Sequence, residues 1–167
     1  NVERYLQDRS APLPVTYISF PSAKDPSWDE RYPDRSTIQI ISLAPYEWFA
    51  KWEGTKWMKR GDEYNAFKQE FTDRLLKELF QVQPQLKGNI DYHELSTPLS
   101  TAHFSGHQRG EIYGLAHSPK RFMAKHLRPT TPIKGLFLTG QDISTAGIGG
   151  ALVGGFLTAS AITHRNL

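Results

Sequence analysis

Leu136-Phe-Leu-Thr-Gly140-Gln-Asp142-Ile-Ser-Thr-Ala-Gly147-Ile-Gly149-Gly150 is the stretch on which the reading of this chain turns. Leu136 to Thr139 is a short apolar run and predicts a strand. Gly140 to Gly149 predicts a glycine-rich turn, and Gly150 to Ile162 a helix of small residues. A strand, a glycine turn and a helix in that order present backbone N–H groups to an anion or a cofactor. No Lys follows Gly155, so this is not a phosphate-binding P-loop. Gly147-x-Gly149-x-x-Leu152 lacks the third glycine of the dinucleotide fingerprint and the acidic residue that follows it, so the primary nucleotide site of a Rossmann fold is excluded as well. Gly150-x-x-x-Gly154 also suits a tightly packed helix. The uncharged run from Ile143 to Ile162 has the length of a membrane span, but its glycines, its Ser and Thr residues and the preceding Asp142 weigh against one.

This stretch also differs in composition from the chain before it. Up to Gly135 the chain carries 19 of its 20 Lys and Arg and 16 of its 17 Asp and Glu. From Leu136 onward only Asp142 and Arg165 are charged. Residues 136–167 are therefore suited to burial or close backbone contact, and residues 1–135 to a half-exposed surface. At 167 residues the whole is long enough to bury a sizeable core.

In the first part, Val15 to Phe20 alternates and predicts a strand that ends at Pro21. Ser22 to Arg35 reads as a loop, and Thr37 to Leu43 as a second, β-branched strand. Asp62 reads as an N-cap, after which Tyr64, Phe67, Phe71, Leu75 and Leu79 recur at helical spacing. Ile90 to Leu95 predicts a third strand, Thr97-Pro98 the opening of a short helix, and Gly106 to Pro132 mostly loop. The fold class is thus α/β, or α+β for a part of a larger design. The opening Asn1-Val-Glu-Arg-Tyr-Leu6, without an initiator Met or an apolar signal stretch, reads as the continuation of something longer.

Several function classes fall away. With no cysteine there is no disulfide scaffold, thiolate nucleophile or Cys-ligated metal. The net charge of +3 comes from interspersed charges of both signs, which predicts no nucleic-acid partner. The six histidines lack metal-binding spacing; His103 and His107 have no Glu after the first His, so no metal is expected. No G-x-S-x-G elbow accompanies the Ser, His and Asp residues. Trp48, Phe49 and Trp52 read mostly as core, with an apolar tunnel or a membrane surface as the alternative.

Asp142, Gly147 and Gly149 have the spacing of the C-terminal flavin motif in the phytoene desaturase and carotenoid isomerase superfamily, which the chain resembles. It resembles the retinol saturase family more closely, at Phe20-Pro-Ser-Ala-Lys-Asp-Pro-Ser-Trp28, Tyr46-Glu-Trp-Phe49, Leu138-Thr-Gly-Gln-Asp142 and Gly150-Ala-Leu152. The resemblance implies an FAD-dependent oxidoreductase. Residues 1–135 would be the C-terminal part of its substrate domain, and 136–167 the closing strand, turn and helix of a Rossmann-type FAD-binding domain. It implies Gly140, Asp142, Gly147, Gly149 and Gly150 as cofactor-binding residues, with Asp142 accepting a hydrogen bond from a ribityl hydroxyl. It makes His107, Arg109 and His117 substrate-pocket residues, although ordinary loop polarity explains them equally well. The implied substrate is a retinol-like or other isoprenoid polyene whose double bond is saturated; desaturation or isomerisation of a carotenoid uses the same flavin site. A peripheral membrane contact and a cytoplasmic-face or membrane-associated location follow as expectations. The isolated chain, lacking the Rossmann fingerprint, is expected to hold no FAD and to be inactive alone. Gln141 between Gly140 and Asp142, and Ala146 in place of a common Pro, depart from the superfamily pattern.

Overall fold

The structure, a computed structural model, describes residues 1–165; Asn166 and Leu167, the end of the expected closing segment, lie outside the described residues. The chain forms a mixed helix-and-strand fold in two compact units, one spanning Asn1–Gly110 and the other starting at Glu111. The border of packing therefore falls earlier than the compositional border at Gly135, because the loop from Glu111 onward fastens onto the closing segment.

In the first unit, α1 (Val2–Gln7) precedes strand β1 (Thr16–Ser19), a helical turn α2 (Trp28–Arg31) and strand β2 (Gln39–Ser42). The strands pair antiparallel, Thr16 opposite Ser42 and Ser19 opposite Gln39, within the two expected β segments. The long helix α3 (Asp62–Val82) buries Tyr64, Phe67, Phe71 and Leu79, which with half-buried Leu75 return to one face every three to four residues. Gly61, not Asp62, occupies the N-cap; Asp62 is the first helical residue, where its charge still favours the positive helix end. Helix α4 (Pro98–Ser105) opens as the sequence predicts. Thr97 and Ser100 form a reciprocal capping box, and Pro98 fills the first turn.

The core joins Phe49, Trp52, Tyr64, Phe67, Phe71 and Leu99. Its rings meet largely edge to face, with Phe49 and Phe71 each 5.2 Å from Phe67 and Trp52 5.3 Å from Tyr64. The Tyr64 hydroxyl meets the Thr97 hydroxyl at 2.7 Å, tying α3 to the start of α4 inside this apolar cluster. Phe49 and Trp52 are buried, so their alternative reading as a tunnel lining or membrane surface is corrected. They hold the turns before α3 against it.

Two expected strands are not strands. Ile90 to Leu95 takes no regular secondary structure and pairs with no strand among the described residues. Its side chains are held instead: Asp91 pairs with Arg35, Glu94 with Lys68, and Leu95 packs on the core. Leu136 to Thr139 makes a single bridge, Phe137 to Thr130, backed by the Leu138 amide donating to the Pro129 carbonyl at 2.9 Å. A β-prone sequence supplies only its own edge, and a ladder needs a neighbour.

The second unit holds a helical turn, α5 (Pro119–Phe122), and the final helix α6 (Gly147–Thr163), which begins three residues before the expected start. Only Gly150, Gly154 and Thr158 of α6 are buried; they form one stripe, four residues apart. The other faces are apolar yet exposed, Ile148 by 83% and Leu152 by 70%. Among the described residues no helix is long and apolar enough to cross a membrane.

Candidate functional site

The second unit gathers Gly140, Asp142, Gly147, Gly149 and Gly150 into one turn-and-helix feature. Gly140 and Gly147 take positive φ, +90° and +84°, which glycine adopts without the strain a Cβ would bring. Between them Gln141 to Ile143 makes a 3-10 turn, and the Gln141 side-chain oxygen accepts the Gly147 amide at 3.0 Å. That bond satisfies one of the amides that a helix start leaves open. Otherwise α6 begins without a side-chain cap.

The helix packs back onto the segment that precedes it. A Cβ on Gly154 would strike the Gly140 carbonyl, and one on Gly150 would strike the Thr145 carbonyl. The Thr158 hydroxyl, 2.7 Å from the Leu138 carbonyl and 2.8 Å from the Gly154 carbonyl, closes the stripe. Gly150 is thus required by contacts inside this chain. Gly149 is different: it is exposed, and a Cβ there would meet nothing within 4 Å. Its bare backbone faces outward.

Asp142 is fixed from the preceding loop. Its Oδ1 accepts the Leu115 amide at 3.0 Å, and Gly114 lies so close that a side chain there would collide with the carboxylate. Oδ2 makes no hydrogen bond among the described residues. The Leu115 carbonyl accepts from Arg121 at 3.1 Å, and a second Arg121 nitrogen donates to the Gln141 carbonyl at 2.8 Å. Arg121 is buried, and both these acceptors are main-chain carbonyls. It therefore clamps the two backbone segments on either side of Asp142. Next to this clamp lies a cavity of about 270 Å³ lined by Arg121, Phe122, Arg128, Asp142, Ser144 and Thr145, among others.

The sequence reading missed Gly114 and Arg121. Ser118-Pro119 does carry the signature of a helix start, and the Ser118 hydroxyl accepts the Arg121 amide at 3.3 Å. That signal locates α5 but says nothing of where the guanidinium goes. His117 is exposed, its ring 6.1 Å from that of Phe122, at the edge of the same unit. His107 and Arg109 belong to the first unit, where Arg109 pairs with Glu47 and sits over the Tyr46 ring at 5.7 Å. The structure therefore gathers the glycines and Asp142, with His117 in their unit, and leaves His107 and Arg109 in the other. No group of three or more His, Asp or Glu that could hold a metal occurs among the described residues.

The chain is 40% identical over 157 residues to an all-trans-retinol 13,14-reductase of Danio rerio, an alignment covering 92% of this chain and 26% of that protein. It is 38% identical over 173 residues to an all-trans-retinol 13,14-reductase of Homo sapiens, covering 99% of this chain and 28% of that protein. A second Danio rerio protein, named inactive all-trans-retinol 13,14-reductase, is 38% identical, with 96% of this chain and 27% of that protein covered. The chain thus spans about a quarter of the length of the curated relatives it matches. No protein-family model matches it. No solved structure matches it either.

Proposed function

The chain belongs to the all-trans-retinol 13,14-reductase family, and on that premise we propose that it is the closing portion of an FAD-dependent reductase that saturates a double bond of a retinol-like polyene. One observation supports the cofactor above the others. Asp142 is held through a single carboxylate oxygen, beside a helix start whose Gly149 backbone is bare. These residues fit a flavin nucleotide. A carboxylate with one oxygen uncommitted accepts a hydrogen bond from a sugar-alcohol hydroxyl. An exposed glycine backbone lets a flat ring lie against it without a Cβ between. The start of α6 carries the positive end of its helix dipole, which favours negative charge on a reduced ring.

Bound FAD would supply the hydride for a two-electron reduction of a carbon–carbon double bond. The chain's own residues orient and shape. Asp142 anchors the sugar-alcohol chain, while Arg121 and Gly114 keep Asp142 in place. Gly150 and Gly154 hold α6 tight against the turn, so that its first amides stay fixed. The Rossmann-type unit that would grip the diphosphate belongs, in this reading, to the rest of the longer protein.

A second reading follows from the relative named inactive, whose identity to this chain equals that of the human protein. In it the longer protein keeps the fold without the reaction. Purifying the intact protein that carries this chain and assaying it with all-trans-retinol separates the two. The proposed reading expects flavin absorbance together with a dihydro product. Flavin without product supports the second reading, and protein free of flavin contradicts the proposal.

A further inference from the structure

We propose that the groove between the C-terminal half of α3 and the turn after it binds a medium-chain carboxylate, with the alkyl chain on Leu76, Phe80 and Pro84 and the head group between Lys77 and Lys87. The inference rests on the first unit alone and does not depend on the proposed reaction. Helix α3 carries two apolar stripes. The first, with Phe67, Phe71 and Leu79, is buried. Leu76 and Phe80, one turn apart, form a second stripe on a neighbouring face, outside the aromatic core and only half-buried. The 3-10 turn Pro84–Leu86 follows α3 and brings Pro84 and Lys87 to the same side. Between helix and turn lies a cavity of about 450 Å³. That volume falls within the roughly 300–1,000 Å³ of small-molecule sites. Leu76 to Pro84 covers about 12 Å at the rise of a helix, which suits a chain of medium length.

The charges at the groove decide the head group. Lys77 and Lys87 are exposed and make no ion pair among the described residues, whereas Lys51 and Lys68 in the same unit each pair with a glutamate. Asp73 precedes Lys77 by one turn and is placed to be its helical partner. It accepts the Gln69 side-chain amide at 2.7 Å instead. Two unneutralised ammoniums thus border a strip of leucine, phenylalanine and proline. A neutral chain would leave the ammoniums unused, and a small hydrophilic anion would leave the strip in water. The complement carries both an anionic head and an apolar tail. The lysine stems add apolar surface along the chain while their ammoniums reach the carboxylate.

The test is calorimetric titration of the intact protein with decanoate, in lipid-free buffer and below the concentration at which decanoate forms micelles. Saturable binding is expected. Decanol, which lacks the charge, and acetate, which lacks the chain, should each bind more weakly by roughly ten-fold or more. The double variant Lys77→Gln/Lys87→Gln should lower decanoate affinity by roughly ten-fold, the combined effect of two exposed ion pairs. Lys56→Gln/Lys59→Gln makes the same change at two other exposed lysines and should bind as the parent does. Affinity should rise by up to roughly four-fold per methylene from hexanoate to decanoate and level off in longer chains that overrun the groove. Absence of saturable binding, equal losses or no loss in the two lysine pairs, or decanol binding as tightly as decanoate overturns the proposal. A second readout locates the site: saturating decanoate should slow acetylation of Lys77 and Lys87 by acetic anhydride, followed by peptide mass, and leave that of Lys56 unchanged. Acetylation of Lys77 and Lys87 at an unaltered rate contradicts the proposal.

Discussion

Asp142 has one carboxylate oxygen engaged by the Leu115 amide and the other uncommitted, so its substitution separates anchoring from loop closure. In the intact protein Asp142→Ala should lose about 1.5–3 kcal/mol of FAD binding, the range for a hydrogen bond to a charged group. That is roughly 10- to 100-fold in dissociation constant, measured by flavin retained after dialysis. Asp142→Asn keeps an oxygen for the Leu115 amide and should hold the loop while still weakening the flavin. Unchanged retention in both variants would remove Asp142 from the site. The adjacent glycines give a sharper contrast. Gly150→Ala drives a methyl into the Thr145 carbonyl and should cost about 1–3 kcal/mol, a fall of several degrees in Tm. Gly149→Ala adds a methyl in open space within a helix and should stabilise by up to about 0.5–1 kcal/mol. Gly149→Val should leave Tm near that of the parent and lower flavin retention. If Gly149 and Gly150 variants melt alike, the packing assigned to Gly150 is wrong.

Elements, unlike single residues, owe their form to neighbours, and the sequence was legible where the neighbours are local. The α3 spacing of Tyr64, Phe67, Phe71 and Leu79 describes a helix face on its own, and Thr97-Pro98 marks the start of α4 with two side chains. Ile90 to Leu95 and Leu136 to Thr139 look like strands by the same local criteria, yet a strand is a pairing and no sequence pattern names a partner. The turn and the start of α6 stood out in the sequence as a candidate site because their residue types are unusual. The Arg121 clamp was not, since its acceptors are main-chain carbonyls that any residue offers. Arg121→Leu should therefore destabilise by about 1.5–3 kcal/mol and, if Asp142 is the proposed anchor, also weaken flavin retention, because Leu115 and Gln141 both flank it. Phe71→Ala, in the aromatic core of the first unit, should cost about 3–5 kcal/mol in chemical denaturation. It should leave flavin content per folded molecule unchanged. Should Arg121→Leu behave like Phe71→Ala in this comparison, the clamp serves stability alone.

At the scale of the molecule, α6 has apolar residues on almost every face and buries only its small ones. A helix that is apolar all round is built to be enclosed, and the relatives are about four times the length that this chain spans. We expect the isolated 167-residue chain to self-associate through that helix and to bind FAD more weakly than micromolar. Calorimetric titration checks the second expectation, and micromolar or tighter affinity would show that the chain alone suffices for the grip. The central claim, a reductase acting on a retinol-like polyene, is tested most directly by a single turnover of the intact protein. The flavoprotein is reduced anaerobically, freed of excess reductant and mixed with all-trans-retinol, while flavin absorbance and retinoid mass are followed together. The account predicts that flavin reoxidises in step with the appearance of a product heavier by two hydrogens, in amounts equal to the flavin. Reduced flavin that persists while retinol is recovered unchanged would contradict it.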